Sequence, residues 1–218
     1  MEFTATDLKG YFKVVIDMIE EQKDYLCELD RKIGDGDHGV TMSIGWQAVN
    51  DILDDDLKDE DDCGKISMKV GKTFLNAVGS SVGPLYATGL MRGAKTVKKK
   101  TILNDQDLVN YWLAFTQGVK ERGQAKKGDK TMMDTFEPFA ETLKPKFDET
   151  HEFVPSFDHA LNFAKNGMES TKELVSQKGR SSRLGERSVG FQDPGATSAY
   201  LILVTFLNYA KSNSAQVS

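Results

Sequence analysis

Cysteine is almost missing from this 218-residue chain, which has only Cys27 and Cys63. Two thiols cannot build the disulfide framework that staples small secreted domains, and each is expected to be a buried or indifferent thiol in a reducing compartment. Long hydrophobic runs are missing too. The most apolar stretch lies within residues 199–207, far short of the ~20 residues a membrane-spanning helix requires. The opening Met-Glu-Phe-Thr-Ala-Thr-Asp has neither the basic nor the apolar region of a signal peptide. Together these absences lead us to expect a cytoplasmic protein with no membrane partner. An excess of positive charge is also lacking: 28 basic residues face 33 acidic ones, a net charge of −5. Nucleic-acid surfaces use basic stripes to displace phosphate counterions, so no nucleic-acid partner is expected. Finally, no stretch alternates apolar and polar residues with β-branched enrichment, which excludes a sheet of any size.

What is present is helical periodicity. Leu8, Tyr11, Phe12, Val15, Met18, Ile19, Tyr25, Leu26 and Leu29 trace one face, interrupted only by Gln22, with Thr6 as the expected N-cap. Similar stripes run through Met42–Leu53, Ile66–Val78, Leu85–Val97, Leu108–Val119, Met132–Leu143, Phe157–Leu174 and Ala199–Ala210. Thr131-x-x-Asp134 reads as a capping box at the head of the sixth. About eight amphipathic helices with mostly short connections predict an all-α, up-and-down bundle. A chain of this length buries about 70% of its unfolded surface and needs no staples. No repeat or linker divides it, so residues 1–218 are expected to form a single domain.

Asp30-Arg31-Lys32-Ile33-Gly34-Asp35-Gly36-Asp37-His38-Gly39 breaks that periodicity. Glycine permits the tight turn, and carboxylates crowded on one turn repel each other unless a cation sits between them. An EF-hand loop does not fit, because Gly39 and Trp46 fall where acidic ligands are required. Two readings remain: a solvated acidic turn, and a divalent-metal and phosphate site built from Asp30, Asp35 and Asp37. Hard carboxylate oxygens suit Mg2+, usually together with substrate phosphates. The acidic run Asp54–Asp62 has no such glycine turn and reads as a solvated loop.

Three other stretches carry phosphate-binding chemistry. Residues 179–192 include Arg180, Arg183 and Arg187 against the single acid Glu186. Arginine forks match phosphate oxygens, so this segment is either a lid over phosphates or a surface loop. Gly79-Ser80-Ser81-Val82-Gly83-Pro84 is either a phosphate-holding turn or a tight helix connection. Asp193-Pro194-Gly195 opens the last helix with a favoured N-cap followed by a favoured first residue, and helix N-termini attract anions. Read from the sequence alone, His38 is open to two roles: a phosphoryl-carrying nucleophile, for which no nearby residue is placed to orient it, or an ordinary loop residue.

These blocks carry a resemblance. Leu29–Gly39, the Gly79–Pro84 turn, Arg-Gly-Gln-Ala-Lys-Lys-Gly-Asp-Lys-Thr-Met at 122–132 and the segment 179–198 occur in the order found in the nucleotide-binding L subunit of bacterial dihydroxyacetone kinase. The chain is therefore similar to that family over nearly its whole length. The resemblance implies an antiparallel barrel of eight helices with ADP or ATP at one end. It implies two Mg2+ on Asp30, Asp35 and Asp37. It implies nucleotide contacts at His38, Gly39, Val40, Thr41, Ser80, Ser81, Val82, Gly123, Thr131, Met132, Arg180, Asp193, Pro194 and Gly195. Val40 and Thr41 depart from the Leu or Ile and Asn common in the family. No side chain of this subunit is expected to act as catalytic acid or base. The implied partners are a sugar-binding kinase subunit and a phosphocarrier protein of the phosphoenolpyruvate system, with a transcription regulator in some relatives. An ATP-dependent kinase subunit for another short ketose and a nucleotide-sensing module are the alternatives.

Overall fold

The computed structural model describes residues 1–216, and in it the periodic stripes become eight α-helices. They are α1 (Ala5–Ile33), α2 (His38–Leu53), α3 (Cys63–Ala77), α4 (Val82–Thr96), α5 (Asp105–Gly123), α6 (Met133–Thr150), α7 (Phe153–Ser170) and α8 (Pro194–Gln216). The all-α reading holds, with one small addition. Strands β1 (Phe3–Thr4) and β2 (Ile102–Leu103) pair antiparallel, Phe3 opposite Leu103. Two residues per strand are too few for alternation to show in a sequence.

Sequence neighbours are neighbours in space: each helix packs on the next, and α8 returns to pack against α1, α6 and α7. Lys13 pairs with Asp54 and Glu20 with Ser43, so α1 and α2 run antiparallel. Aromatic rings fill the interior. Trp112 meets Phe206 edge-on at 5.0 Å, Phe139 meets Phe157 at 4.8 Å, and Trp46 meets Phe74 at 5.5 Å. Such pairs add about 0.5–1.5 kcal/mol each beyond area burial. Among the described residues, no helix is long and apolar enough to cross a membrane.

The helix ends depart from expectation in informative ways. Thr4, not Thr6, caps α1: Thr4 Oγ1 accepts from Asp7 N at 3.2 Å, and Asp7 Oδ2 accepts from Thr4 N at 2.7 Å. The Phe3–Thr4 strand fixes the chain there, so the helix begins two residues early. Asp62 leaves the solvated acidic run to cap α3, where its buried carboxylate accepts from Gly64 N, Lys65 N and Lys99 N. Tyr25, placed on the buried stripe of α1, is instead exposed, while Ile16 and Cys27 are buried. The buried face turns because α2 crosses α1 closely at Gly39, where a Cβ would lie 1.9 Å from Lys23 O.

Candidate nucleotide and metal site

The acidic turn links α1 to α2. α1 ends where Gly34 N donates to Asp30 O at 2.5 Å. Gly36 then takes φ +79°, a left-handed conformation that glycine adopts without penalty. This reversal brings Asp37 and His38 back over Asp30, whose Oδ2 accepts from Asp37 N at 2.9 Å and His38 N at 3.2 Å. One carboxylate oxygen from each of Asp30, Asp35 and Asp37 then lies within 4.8 Å of the others. Asp35 and Asp37 are exposed; Asp30 is more enclosed. Arg180 reaches the cluster from the distant arginine segment. Its guanidinium pairs with Asp35 and lies 3.9 Å from Asp37 Oδ2. It is the only cation paired with the trio among the described residues. Three anions against one cation leave the cluster short of positive charge, and the donor set is all hard oxygen. Both features fit a divalent ion such as Mg2+.

The cluster borders a cavity of about 720 Å³, within the range of small-molecule sites. Most of the expected contacts meet there. Ser80, Ser81 and Val82 come from the α3–α4 turn, and Gly123 from the end of α5. Thr131 and Met132 come from the α5–α6 turn, while Asp193, Pro194 and Gly195 open α8. His38 and Arg180 complete the set. Ser80 Oγ is buried with no hydrogen-bond partner, an orphan that a ligand in the cavity would satisfy. Leu85, Val119, Met132 and Met133 supply an apolar wall.

Three expected contacts do not reach this cavity. Gly39 is buried against α1, Val40 is 42% exposed on the outer face of α2, and Thr41 lies within the helix, donating from its backbone N to Asp37 O at 2.8 Å. Once α2 starts at His38, the helical turn carries the next three residues away from the opening. Gly39 serves the site indirectly, because its missing side chain lets α2 sit close to α1.

Burial shapes the electrostatics. His38 is buried, with Nε2 2.9 Å from Ser198 Oγ, which in turn lies 3.2 Å from Tyr86 OH. Desolvation pushes the His38 ring down to about 4. Asp193 caps α8 as expected, accepting from Ala196 N at 2.7 Å. Burial pushes its carboxyl up to about 7 against that hydrogen bond. The expected Thr131/Asp134 box is half formed and reused. Asp134 accepts from Thr131 N at 2.7 Å and Gly128 N at 2.6 Å, while Thr131 Oγ1 accepts from Met133 N instead of Asp134 N.

The arginine segment also differs from a bare loop. Arg180–Ser188 forms short 3-10 turns broken at Gly185, where φ is +54°. Lys130, to which the sequence assigned no role, lies buried beneath it. The only available signal was a lysine set among residues bound for the interior, between Asp129 and Thr131.

An all-helical domain with a carboxylate cluster at the mouth of a ligand-sized cavity defines the class. Residues 32–208 match the DAK2 domain, and the chain belongs to that family. It is 38% identical over 194 residues to the ADP-binding subunit DhaL of PEP-dependent dihydroxyacetone kinase 2 from Listeria innocua, covering 89% of each chain. It is 34% identical over 203 residues to the ADP-binding subunit DhaL of the Escherichia coli PEP-dependent kinase, covering 93% of this chain and 96% of that one. Its fold is similar to that of the C. freundii dihydroxyacetone kinase in complex with AMP-PNP and Mg2+. There the TM-score is 0.72 at 20% identity, over 95% of this chain and 34% of that longer one.

Proposed function

We propose that this chain is the ADP-binding subunit of a phosphoenolpyruvate-dependent dihydroxyacetone kinase. In this reading it passes a phosphoryl group from a phosphocarrier protein to dihydroxyacetone held on a separate sugar-binding subunit. The observation that carries the reading is the convergence of Asp30, Asp35 and Asp37 with Arg180 beside a cavity containing the orphan Ser80 hydroxyl. Curated relatives of nearly equal length are named for that role. The return of α8 to α1 supports reading the bundle as the closed antiparallel barrel of that family.

Each element has a task. Asp30, Asp35 and Asp37 hold two Mg2+, and the turn hydrogen bonds onto Asp30 keep the trio assembled before metal arrives. ADP held there would take a phosphoryl group from the phosphocarrier to become ATP and would give the same group up to the sugar, while the Mg2+ ions held by the three aspartates would neutralise the charge on the transferred group. Ser80 and Ser81 hydrogen-bond phosphate oxygens, and the N-terminus of α8 faces them with its positive end. Met132 and its apolar neighbours shield the adenine. Arg180 offers a planar fork to the phosphates. His38 is a poor phosphoryl carrier, since its Nε2 is occupied by Ser198 and its ring is buried. Phosphoryl transfer is governed by positioning and electrostatics, so the chain needs no general base of its own.

Asp35→Ala tests this directly. Calorimetry should show Mg-ADP affinity lowered by more than about 100-fold, beyond what loss of a supporting residue costs, with unchanged helical circular dichroism. The reconstituted three-component kinase should lose activity in parallel. Full Mg-ADP affinity in the variant would remove the metal assignment and the function built on it.

A further inference from the structure

Lys130 is 1% exposed, in the turn between α5 and α6. Its ammonium spends all three protons on backbone carbonyls: Ser188 O at 2.6 Å, Phe191 O at 2.7 Å and Leu174 O at 3.1 Å. No carboxylate lies within ion-pair distance of it among the described residues. Those three carbonyls come from the two ends of one segment, 174–191, and that segment carries Arg180. Further bonds close the same base. Gly190 N donates to Lys172 O at 2.7 Å, Ser176 N to Ser188 Oγ at 2.9 Å, and Gln177 N to Asp129 O at 3.0 Å. Beyond this base the segment touches the acidic turn through Arg180, an exposed contact of the kind that solvent and salt weaken.

The turn that carries Lys130 also presents Thr131 and Met132 to the cavity. One side chain therefore joins the cavity wall to the root of the arginine segment. We infer that Lys130 is a positioning residue for Arg180: it sets the reach of the arginine segment over the carboxylates by gathering the segment's two ends onto the cavity wall. A tetrahedral ammonium suits three converging carbonyls; a planar guanidinium directs its donors differently. This inference rests on the proposed nucleotide site for its catalytic consequence. The anchoring itself concerns the free chain alone.

The test pairs Lys130→Met, which keeps length without donors, with Lys130→Arg, which keeps charge without the geometry. In the free chain, trypsin should cut after Arg183 and Arg187 faster in both variants than in wild type, with helical circular dichroism retained. In the reconstituted kinase, kcat should fall by about 100-fold, the scale expected when a binding group is displaced by roughly an ångström. Adding Arg180→Ala to Lys130→Met should cost little more than the larger single change, because residues acting as one unit are not additive. Wild-type protease resistance in both lysine variants, or losses that simply add, would overturn the inference. If Lys130→Met does not fold, Lys130→Arg carries the same comparison. If wild-type chain fails to bind Mg-ADP while the lysine variants still expose the segment, the proposed function fails and the anchor stands.

Discussion

Replacing Asp193 with asparagine should make the metal-free chain more stable at neutral pH. The carboxyl is buried at the start of α8, and burial raises it from its ordinary 3.8 to about 7. A carboxyl with a raised folded value binds its proton more tightly in the folded state. Its contribution to stability is therefore complete below the unfolded value and is lost as pH rises through the window from about 4 to about 7. Three units at about 1.4 kcal/mol each amount to roughly 4 kcal/mol lost by pH 8. Asparagine keeps the oxygen that accepts from Ala196 N and ranks with aspartate as an N-cap, but carries no charge. Urea unfolding followed by circular dichroism in chelator, from pH 4 to pH 8, should show the two proteins nearly equal at pH 4. They should then diverge, with Asp193→Asn ahead by up to about 4 kcal/mol at pH 8. Taking the difference between the two proteins cancels every other titration they share. A constant gap across this range, or a variant weaker at pH 8, would refute the reasoning.

Other outcomes follow from the same geometry. The buried His38 ring should titrate near 4 by NMR in the metal-free chain, and its contribution to stability should be lost as pH falls from 6.5 toward 4; a midpoint above 6 would contradict its enclosure. Gly39→Ala places a methyl 1.9 Å from Lys23 O, and the overlap should cost on the order of 3 kcal/mol in urea unfolding. The same variant should bind Mg2+ more weakly, because α2 carries Asp37 and His38 at its start. Asp62→Ala removes the acceptor for three backbone N–H groups and should cost about 2 kcal/mol, with ADP binding unchanged at temperatures where the chain is folded.

The helices were legible because each has a continuous apolar stripe, and those stripes form the core in the structure. Capping chemistry marked Asp193 correctly but misplaced the start of α1, since Thr4 owes its role to a strand partner 98 residues away at Ile102. Locally, Asp62 resembled Asp54 and Asp56; what separates it from them is its place at the start of α3, where it accepts from Gly64 N and Lys65 N, together with the arrival of the Lys99 amide. The carboxylate trio could be named in advance because its members share one short glycine turn. Arg180 closing on that turn could be suspected from its chemistry, but not its choice of Asp35. Gly39, Val40 and Thr41 belong to the same motif as His38 but lie outside the residues that line the cavity, because the chain turns away into α2 after His38. Lys130 was invisible for a different reason: its partners are peptide carbonyls, and nothing in the side chains of Leu174, Ser188 and Phe191 announces them.

The contact between Arg180 and Asp35 has a consequence for the order of events. If the proposed ion takes the Asp35 oxygen that Arg180 now holds, ion and guanidinium compete for it. Loading the metal would then loosen the arm, leaving its planar fork freer to meet a phosphate tail than it is when the mouth is empty.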